Sequence, residues 1–424
     1  MIPLLFGVFT VLLLINLPMA FAIGIASIAT VFATENLPLH SVVTRMFVGV
    51  DSFELLAIPF FIAAGEIMNA ATITERIVNF SRSIVGHIRG GLAHVTIVSA
   101  MIFSGISGSA TADASAIGSM MIPSMVRARF GRDFAVAVNA SSSAMGPIIP
   151  PSIMMVIYGS IANVSIAKLF LGGFIPGVLI GFGLMGVAYY LSVRRGYRAE
   201  ARASLKEVWK AFKAAILALL MPIVIMAGLL TGAFTPTEAG VVAVVYAILI
   251  GRFVYRSIAF RDLGHLFANA AITTATAMLI IATATIFAWL LAWFGFGSNV
   301  VQLLLSISRD PVIVLFLIIA FLLLLGLFVE GIPVLIIFTP ILIPVVAQHH
   351  IDPIFFGVIL VMTIVIASVT PLVGVLNIMC CAIGKIGVSE VAPVLLPFYG
   401  VMVAVLFLCA YFPSIVMLIP RMMP

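Results

Sequence analysis

Charge is what this sequence has least of. Among 424 residues, Asp, Glu, Lys and Arg make up 8% and apolar types 63%, with a mean hydropathy of +1.31. A soluble core cannot hide that much apolar surface, which excludes an ordinary water-soluble domain. Cysteine is scarce too. Cys380, Cys381 and Cys409 lie in apolar runs, leaving neither a disulfide framework nor a metal-ligand spacing. The phosphate-binding pattern GxxxxGK(S/T) is absent, which argues against an ATP-driven pump in this chain. No basic n-region precedes the first apolar run, so residues 1–33 do not read as a cleavable signal peptide. The formal net charge of +6 is what basic cytoplasmic loops give a membrane protein, and it calls for no nucleic-acid partner.

What is present is a series of long apolar runs. Each is long enough to cross a hydrocarbon layer of roughly 30 Å as a helix, and none alternates in polarity as a membrane β-barrel strand does. The fold class read from this is an all-α polytopic membrane protein. Helical segments are expected near 3–33, 53–71, 92–105, 110–126, 133–160, 166–193, 214–231, 236–257, 265–295, 311–328, 332–348, 354–380 and 393–419.

The positive charges set a topology. The loop RRGYRAEARASLKEVWKAFK (194–213) is placed in the cytoplasm, and loops two crossings away on either side, at 127–132 and 252–261, are basic as well. Residues 72–91 are also basic, yet only 92–126 separates them from 127–132. A single crossing would put these loops on opposite faces. A re-entrant hairpin over 92–126 keeps both inside, with the Ser/Gly-rich stretch FSGISGSATADAS at its tip. This arrangement puts 17 basic residues inside and leaves Arg45, Lys168, Arg309 and Arg421 outside, the asymmetry expected of an inner-membrane protein.

An internal repeat is visible. GSMMIPSMV (118–126) resembles TPILIPVVA (339–347), and GPIIPPS (146–152) is matched by SVTPLVG (368–374). Pro123 to Pro150 and Pro344 to Pro371 are both 27 residues apart. A second hairpin is therefore expected over 311–348, with its tip at GLFVEGIP. The halves 1–193 and 236–424, joined by a basic linker and helix over 194–235, would enter the membrane from opposite faces. Inverted repeats whose broken helices meet at mid-membrane characterise secondary transporters.

Backbone that leaves helical geometry in lipid must be satisfied by protein or water, and its carbonyls and hydroxyls are hard ligands suited to a small cation. Two Na⁺ sites are expected, one per pair of hairpin tip and helix break. The first would use Ser104, Ser107, Gly108, Ser109, Gly146 and Ile149; the second Gly326, Glu330, Gly331, Thr370, Val373 and Gly374. An anionic substrate would lie between them, near Ser109, Thr111, Asn139, Ser142, Ser143, Pro150, Pro151 and Asn377. Small-residue runs also serve close helix packing. Asp113 and Glu330 tilt the balance towards function, because carboxylates at membrane depth are costly, although Asp113 reads first as a structural cap on a hairpin arm. Glu66 is a further carboxylate inside an apolar run. Thr235 and Glu238 form a capping box. His349 and His350 are expected in a solvated external loop, Trp289 and Trp293 in packing, and residues 200–213 as an amphipathic helix lying on the cytoplasmic lipid surface.

SGSATADASAIGSMMIPSM, GPIIPPSIMMVIYG, FTPTEAGVVAVVYA, FTPILIPVV, IDPIFFG and TPLVGVLNIM, with AIPFFIAAGEIMNAATITERIV at 57–78, resemble the large membrane subunit of TRAP (tripartite ATP-independent periplasmic) transporters over nearly the whole chain. The resemblance implies a scaffold plus an elevator-type transport domain carrying both hairpins. It implies Na⁺-driven import of an organic acid, such as a C4-dicarboxylate, sialic acid or another sugar acid, across the bacterial inner membrane. It also implies two partners, a small four-helix membrane subunit and a periplasmic substrate-binding protein, with no cofactor beyond Na⁺ as the coupling ion. One departure stands out: Leu372 occupies the place of the second proline in the family's TPP break.

Two rival readings remain. One is a stand-alone Na⁺-coupled dicarboxylate carrier of similar architecture. The other is an intramembrane serine protease, since Gly105-Ile106-Ser107-Gly108 matches GxSG. Such a serine needs a histidine on a neighbouring helix, and the later spans supply none.

Overall fold

A computed structural model describes the chain except residues 16, 35, 36, 328, 372, 373 and 424, and describes only the backbone of Leu305. The described residues form helices and connecting turns, with no strand among them. Six of these helices are each long and apolar enough to cross a membrane, and a seventh span arises if His40–Val50 and Glu54–Ala70, bent by 65° at their junction, are taken together. Large apolar side chains such as Phe182, Ile223, Ile272 and Leu396 lie exposed along these helices. In water that would be a liability; against acyl chains it is the ordinary outer surface of a spanning helix. The protein is a multi-pass membrane protein.

The first expected hairpin is present as two packed arms, and the second as two successive helices that each pack on Pro353–Ala367. The first consists of Gly91–Ser107 and Ala110–Arg127, packed on each other. Gly108 closes the turn with φ +60°, a conformation that costs an L side chain but not glycine. The second hairpin has arms Pro311–Leu325 and Gly331–Gln348. Both expected breaks are present too. Arg132–Ser143 stops before Gly146 and Pro147, and the helix restarts as Ile153–Ala162. Pro353–Ala367 stops before Pro371 and restarts as Val375–Gly384. Proline has no N–H to continue the helical ladder, and its ring clashes with the preceding turn.

Packing links the helices into two sets, each drawing on both ends of the sequence, with extensive contact between them where Phe260–Trp293 meets Gly331–Gln348 and Ile73–Val85 meets Gly91–Ser107. Phe260–Trp293 packs against Met19–Phe32, His40–Val50 and Ala57–Ala70, while Leu205–Leu230 packs on Ile73–Val85. The other group joins both hairpins and both broken helices to Ile166–Arg194 and Val388–Tyr411. Its centre is densely filled. Every residue of Pro353–Ala367 from Phe355 onward is buried, and Tyr158 fits so closely against Gly357 that a Cβ there would lie 2.2 Å from its ring.

Several sequence expectations need correction. Residues 3–33 are two helices, Ile2–Leu14 and Met19–Phe32, packed on each other, because Pro18 begins the second. His40–Val50, Ile73–Val85 and Phe296–Ile307 are helices not foreseen. Their mixed polarity hid them from a search for continuous apolar runs. Residues 205–213 do not form a separate surface helix. They are the opening turns of Leu205–Leu230, which is started by a Ser204–Glu207 capping box. His349 is buried rather than solvated, with Nε2 lacking a partner among the described residues. The Thr235–Glu238 box is present: the Thr235 N–H donates to Glu238 at 2.8 Å, and the Glu238 N–H donates to Thr235 Oγ1 at 3.3 Å.

Candidate functional site

The tips of both hairpins and both helix breaks meet at one place. A cavity of about 90 Å³ is lined by Gly108–Thr111, by Pro147, Ile153 and Met154, by Glu330–Ile332, and by Ser368, Val375 and Leu376. Four helices begin on its wall: Ala110–Arg127, Ile153–Ala162, Gly331–Gln348 and Val375–Gly384. Each carries unpaired N–H groups and roughly half a positive charge at its first turn. Sequence dictates the starts. Ser109 accepts from the Ala112 N–H at 3.4 Å, and Ser152 from the Met155 N–H at 3.2 Å, the usual N-cap role of serine. Among the described residues no Lys, Arg or His lines the cavity and Glu330 is its one charged residue, so any anion there relies on helix ends and hydroxyls.

The first tip docks on the first break. The Ile153 N–H donates to the Gly108 carbonyl at 3.4 Å, and a Cβ on Gly108 would lie 2.6 Å from the Pro151 carbonyl oxygen. The Pro150 carbonyl lies 3.7 Å from where a Gly105 Cβ would be, and Ile149 is buried against Gly177. Gly146 meets the hairpin so closely that a Cβ would stand 2.8 Å from Asp113 Oδ2 and 3.0 Å from the Ala110 nitrogen. Asp113 is fully buried. It accepts from Ser104 Oγ at 2.7 Å and also from Ser107 Oγ. It therefore ties the two arms together, while the capping expected of it falls to Ser109.

The second tip docks in the same way. A Cβ on Gly326 would lie 2.3 Å from that of Ala367, and one on Gly331 would lie 2.8 Å from both Ile364 and Met154. Gly374 is folded against the broken backbone, where a Cβ would stand 2.4 Å from the Ser368 oxygen and 2.8 Å from the Thr370 oxygen. The Thr370 hydroxyl is buried without a partner among the described residues. Glu330 precedes Gly331–Gln348 without making a side-chain cap. Val373 and Leu372 lie outside the described residues.

Other expected substrate residues lie elsewhere. Ser142 and Ser143 donate to the Asn139 carbonyl within their own helix. Asn139 bridges Ala114 at 3.1 Å and Cys380 at 3.2 Å, pinning the first hairpin to the second broken helix. Asn377 donates to the Pro371 carbonyl at 3.5 Å. None of these four lines the 90 Å³ cavity.

A second cavity of about 260 Å³ shares Ser109, Thr111 and Ile153 with the first and continues to Ser107, Ser115, Glu66, Asn69 and Thr273. Of these, Glu66 was visible in the sequence as a carboxylate in an apolar run. Asn69 and Thr273 come from helices some 200 residues apart, and nothing local marked them. The protease reading fails here. Ser107 is bonded to Asp113, and the His94 ring is engaged with the Arg89 carbonyl at 3.2 Å.

The profile of the tripartite ATP-independent periplasmic transporter DctM component matches residues 6–415. The chain belongs to the DctM family of TRAP transporters. It is thus a transporter permease and not an enzyme. It is 38% identical over 411 residues to the sialic acid TRAP transporter large permease protein SiaM of Vibrio cholerae, covering 97% of this chain and 96% of that one. It is 37% identical over 417 residues to the isethionate TRAP transporter permease protein DctMQ of Oleidesulfovibrio alaskensis, covering 98% of this chain and 66% of that longer protein. Among solved structures, the YdaH transporter of Alcanivorax borkumensis shares the fold, with a TM-score of 0.61, 14% identity and 88% coverage of each chain.

Proposed function

We propose that this TRAP permease imports an organic acid anion across a bacterial inner membrane, driven by Na⁺. One observation carries the reading: four helix N-termini face a single cavity whose wall, among the described residues, has no basic side chain. Such ends attract an anion without the desolvation cost of burying an arginine at membrane depth. The relatives named for sialic acid and isethionate, a carboxylate and a sulfonate, fit an anion held by helix ends.

The helix C-termini beside the cavity supply the opposite polarity. Around Ser107 and Gly108, with Ser104, Ser109, Gly146 and Ile149, carbonyls and hydroxyls would hold one Na⁺. Around Thr370 and Gly374, with Gly326, Glu330, Gly331 and Val373, they would hold another. The Thr370 hydroxyl, without a partner among the described residues, and the close carbonyls about Gly374 fit a small cation. The two packing groups fit a scaffold and a moving transport domain of elevator type, built from the halves 1–193 and 236–424. The tripartite family description fits a small four-helix membrane subunit and a periplasmic substrate-binding protein as partners.

The test is uptake by proteoliposomes holding this chain, its small subunit, a candidate binding protein and labelled acid, with and without an inward Na⁺ gradient. Ser107 or Thr370 replaced by a bulky residue should lose Na⁺-dependent uptake while still inserting. Uptake indifferent to Na⁺ in the wild type sinks the coupling. Uptake without any binding protein would favour a stand-alone carrier instead.

A further inference from the structure

We infer that Glu66, on a helix of the group read as scaffold, gathers the coupling cation for the site built on Ser107; this rests on the Na⁺-coupled reading. The larger cavity is bounded on one side by Ala57–Ala70 and Thr273, and on the other by the first hairpin tip. Its lining carries one charged residue, Glu66, facing the hydroxyls of Ser107, Ser109, Thr111 and Ser115. No hydrogen bond or ion pair engages the Glu66 carboxylate among the described residues, so it is free to act on a mobile ion. Contact is close: a Cβ on the neighbouring Gly65 would lie 3.7 Å from the Ser107 Cα.

The two cavities share the helix starts at Ser109–Thr111 and Ile153 but differ in the rest of their lining. Ser107, whose hydroxyl is bonded to Asp113, lines the larger cavity and not the smaller, while the four helix N-termini meet at the smaller. A cation approaching Ser107 through the larger cavity passes the Glu66 carboxylate, whose attraction is stronger beside protein than in bulk water. An anion is repelled from the same route. Because Glu66 belongs to the other helix group, its pull on the ion depends on the position of the hairpin, and it would weaken once the transport domain moves away.

The test is direct binding of sodium-22 to the purified chain in nanodiscs, comparing wild type, Glu66→Gln, Glu66→Asp and Ser107→Ala. The expected result is an apparent Na⁺ affinity weakened about 3- to 10-fold in Glu66→Gln, largely restored in Glu66→Asp, with the deficit shrinking as N-methylglucamine chloride raises the ionic strength. Wild-type affinity in Glu66→Gln overturns the inference, as does a loss that ionic strength leaves unchanged, since that marks a packing role. Saturable binding in the wild type that Ser107→Ala abolishes confirms the site itself, so its failure is separable. A wild type with no saturable Na⁺ binding refutes the coupling reading instead.

Discussion

Ser104, on the first arm of hairpin 1, donates its hydroxyl to Oδ2 of Asp113 on the second arm at 2.7 Å. With Ser107 on the other carboxylate oxygen, the turn is closed by two serines converging on one acidic group. Asparagine keeps one acceptor and turns the other into a donor, leaving a serine facing an N–H. Asp113→Asn should destabilise the protein by about 1–3 kcal/mol and Ser104→Ala by about 1 kcal/mol. The double variant should lose less than the sum, because both changes break one contact. Thermal unfolding in detergent, followed by tryptophan fluorescence, reads all three. Strict additivity would show that the two residues do not act as a pair.

Gly374 offers a sharper test of the second break. An alanine there must push a methyl group into the Ser368 and Thr370 carbonyls, so the loop has to rearrange. Gly374→Ala should cut Na⁺-dependent uptake by about 10-fold or more, an effect of about 1.4 kcal/mol per decade. Gly186→Ala, where nothing lies within 4 Å, should transport normally. Equal uptake by the two variants would show that the carbonyl cradle has no role in transport.

Tyr158 couples the two broken helices. Its hydroxyl donates to the Pro353 carbonyl at 2.7 Å, and its ring lies flush on Gly357. Tyr158→Phe loses one hydrogen bond, about 1 kcal/mol. Gly357→Ala overpacks the interface and should cost about 1–3 kcal/mol. The glycine variant should therefore have the lower unfolding temperature; the reverse order would contradict this packing.

At the basic face, Arg195 holds Asp133 with two bonds of 3.0 and 2.8 Å. Partial burial raises the Asp133 pKa, but the Arg195 guanidinium and the Phe134 N–H outweigh it and leave the carboxyl below the ordinary range. A group depressed on folding contributes stability above its unfolded pKa and loses it as pH falls through the folded value. Its share should therefore be constant from neutral pH to about 5 and disappear below about 4. Asp133→Asn should flatten that part of the acid profile. An unchanged slope below pH 4 would assign the acid sensitivity to other groups.

The hairpins and breaks were legible because their signals are local. Gly108, Pro147 and Pro371 stand in clusters of helix-breaking residues and mark the stops, whereas lone prolines such as Pro176 and Pro222 are carried inside continuous helices. Ser109 and Ser152 announce the starts that follow. By contrast, the break at Pro18 is masked in the sequence by the long apolar runs on both sides of it. Ile73–Val85 was missed because its polar face looked like a loop. The placement of Asn139, Ser142 and Ser143 was equally out of reach. Their polarity points to the substrate, yet both serine hydroxyls donate to the backbone and the Asn139 amide nitrogen is held by Ala114 and Cys380, while Asn139 Oδ1 has no partner among the described residues. Polarity marks a need for a partner; it does not say which partner fills it.

The order of residues alone determined that the chain lives in lipid, where its helices must stop, and that it repeats itself, because hydrophobicity, proline and glycine act through the chain's own covalent neighbours. Only the tertiary structure decided that four helix beginnings share one cavity, and that Glu66 opens onto the space beside Ser107. Those juxtapositions join residues tens to hundreds of positions apart, and they arise from side-chain packing between helices that no short window of sequence contains.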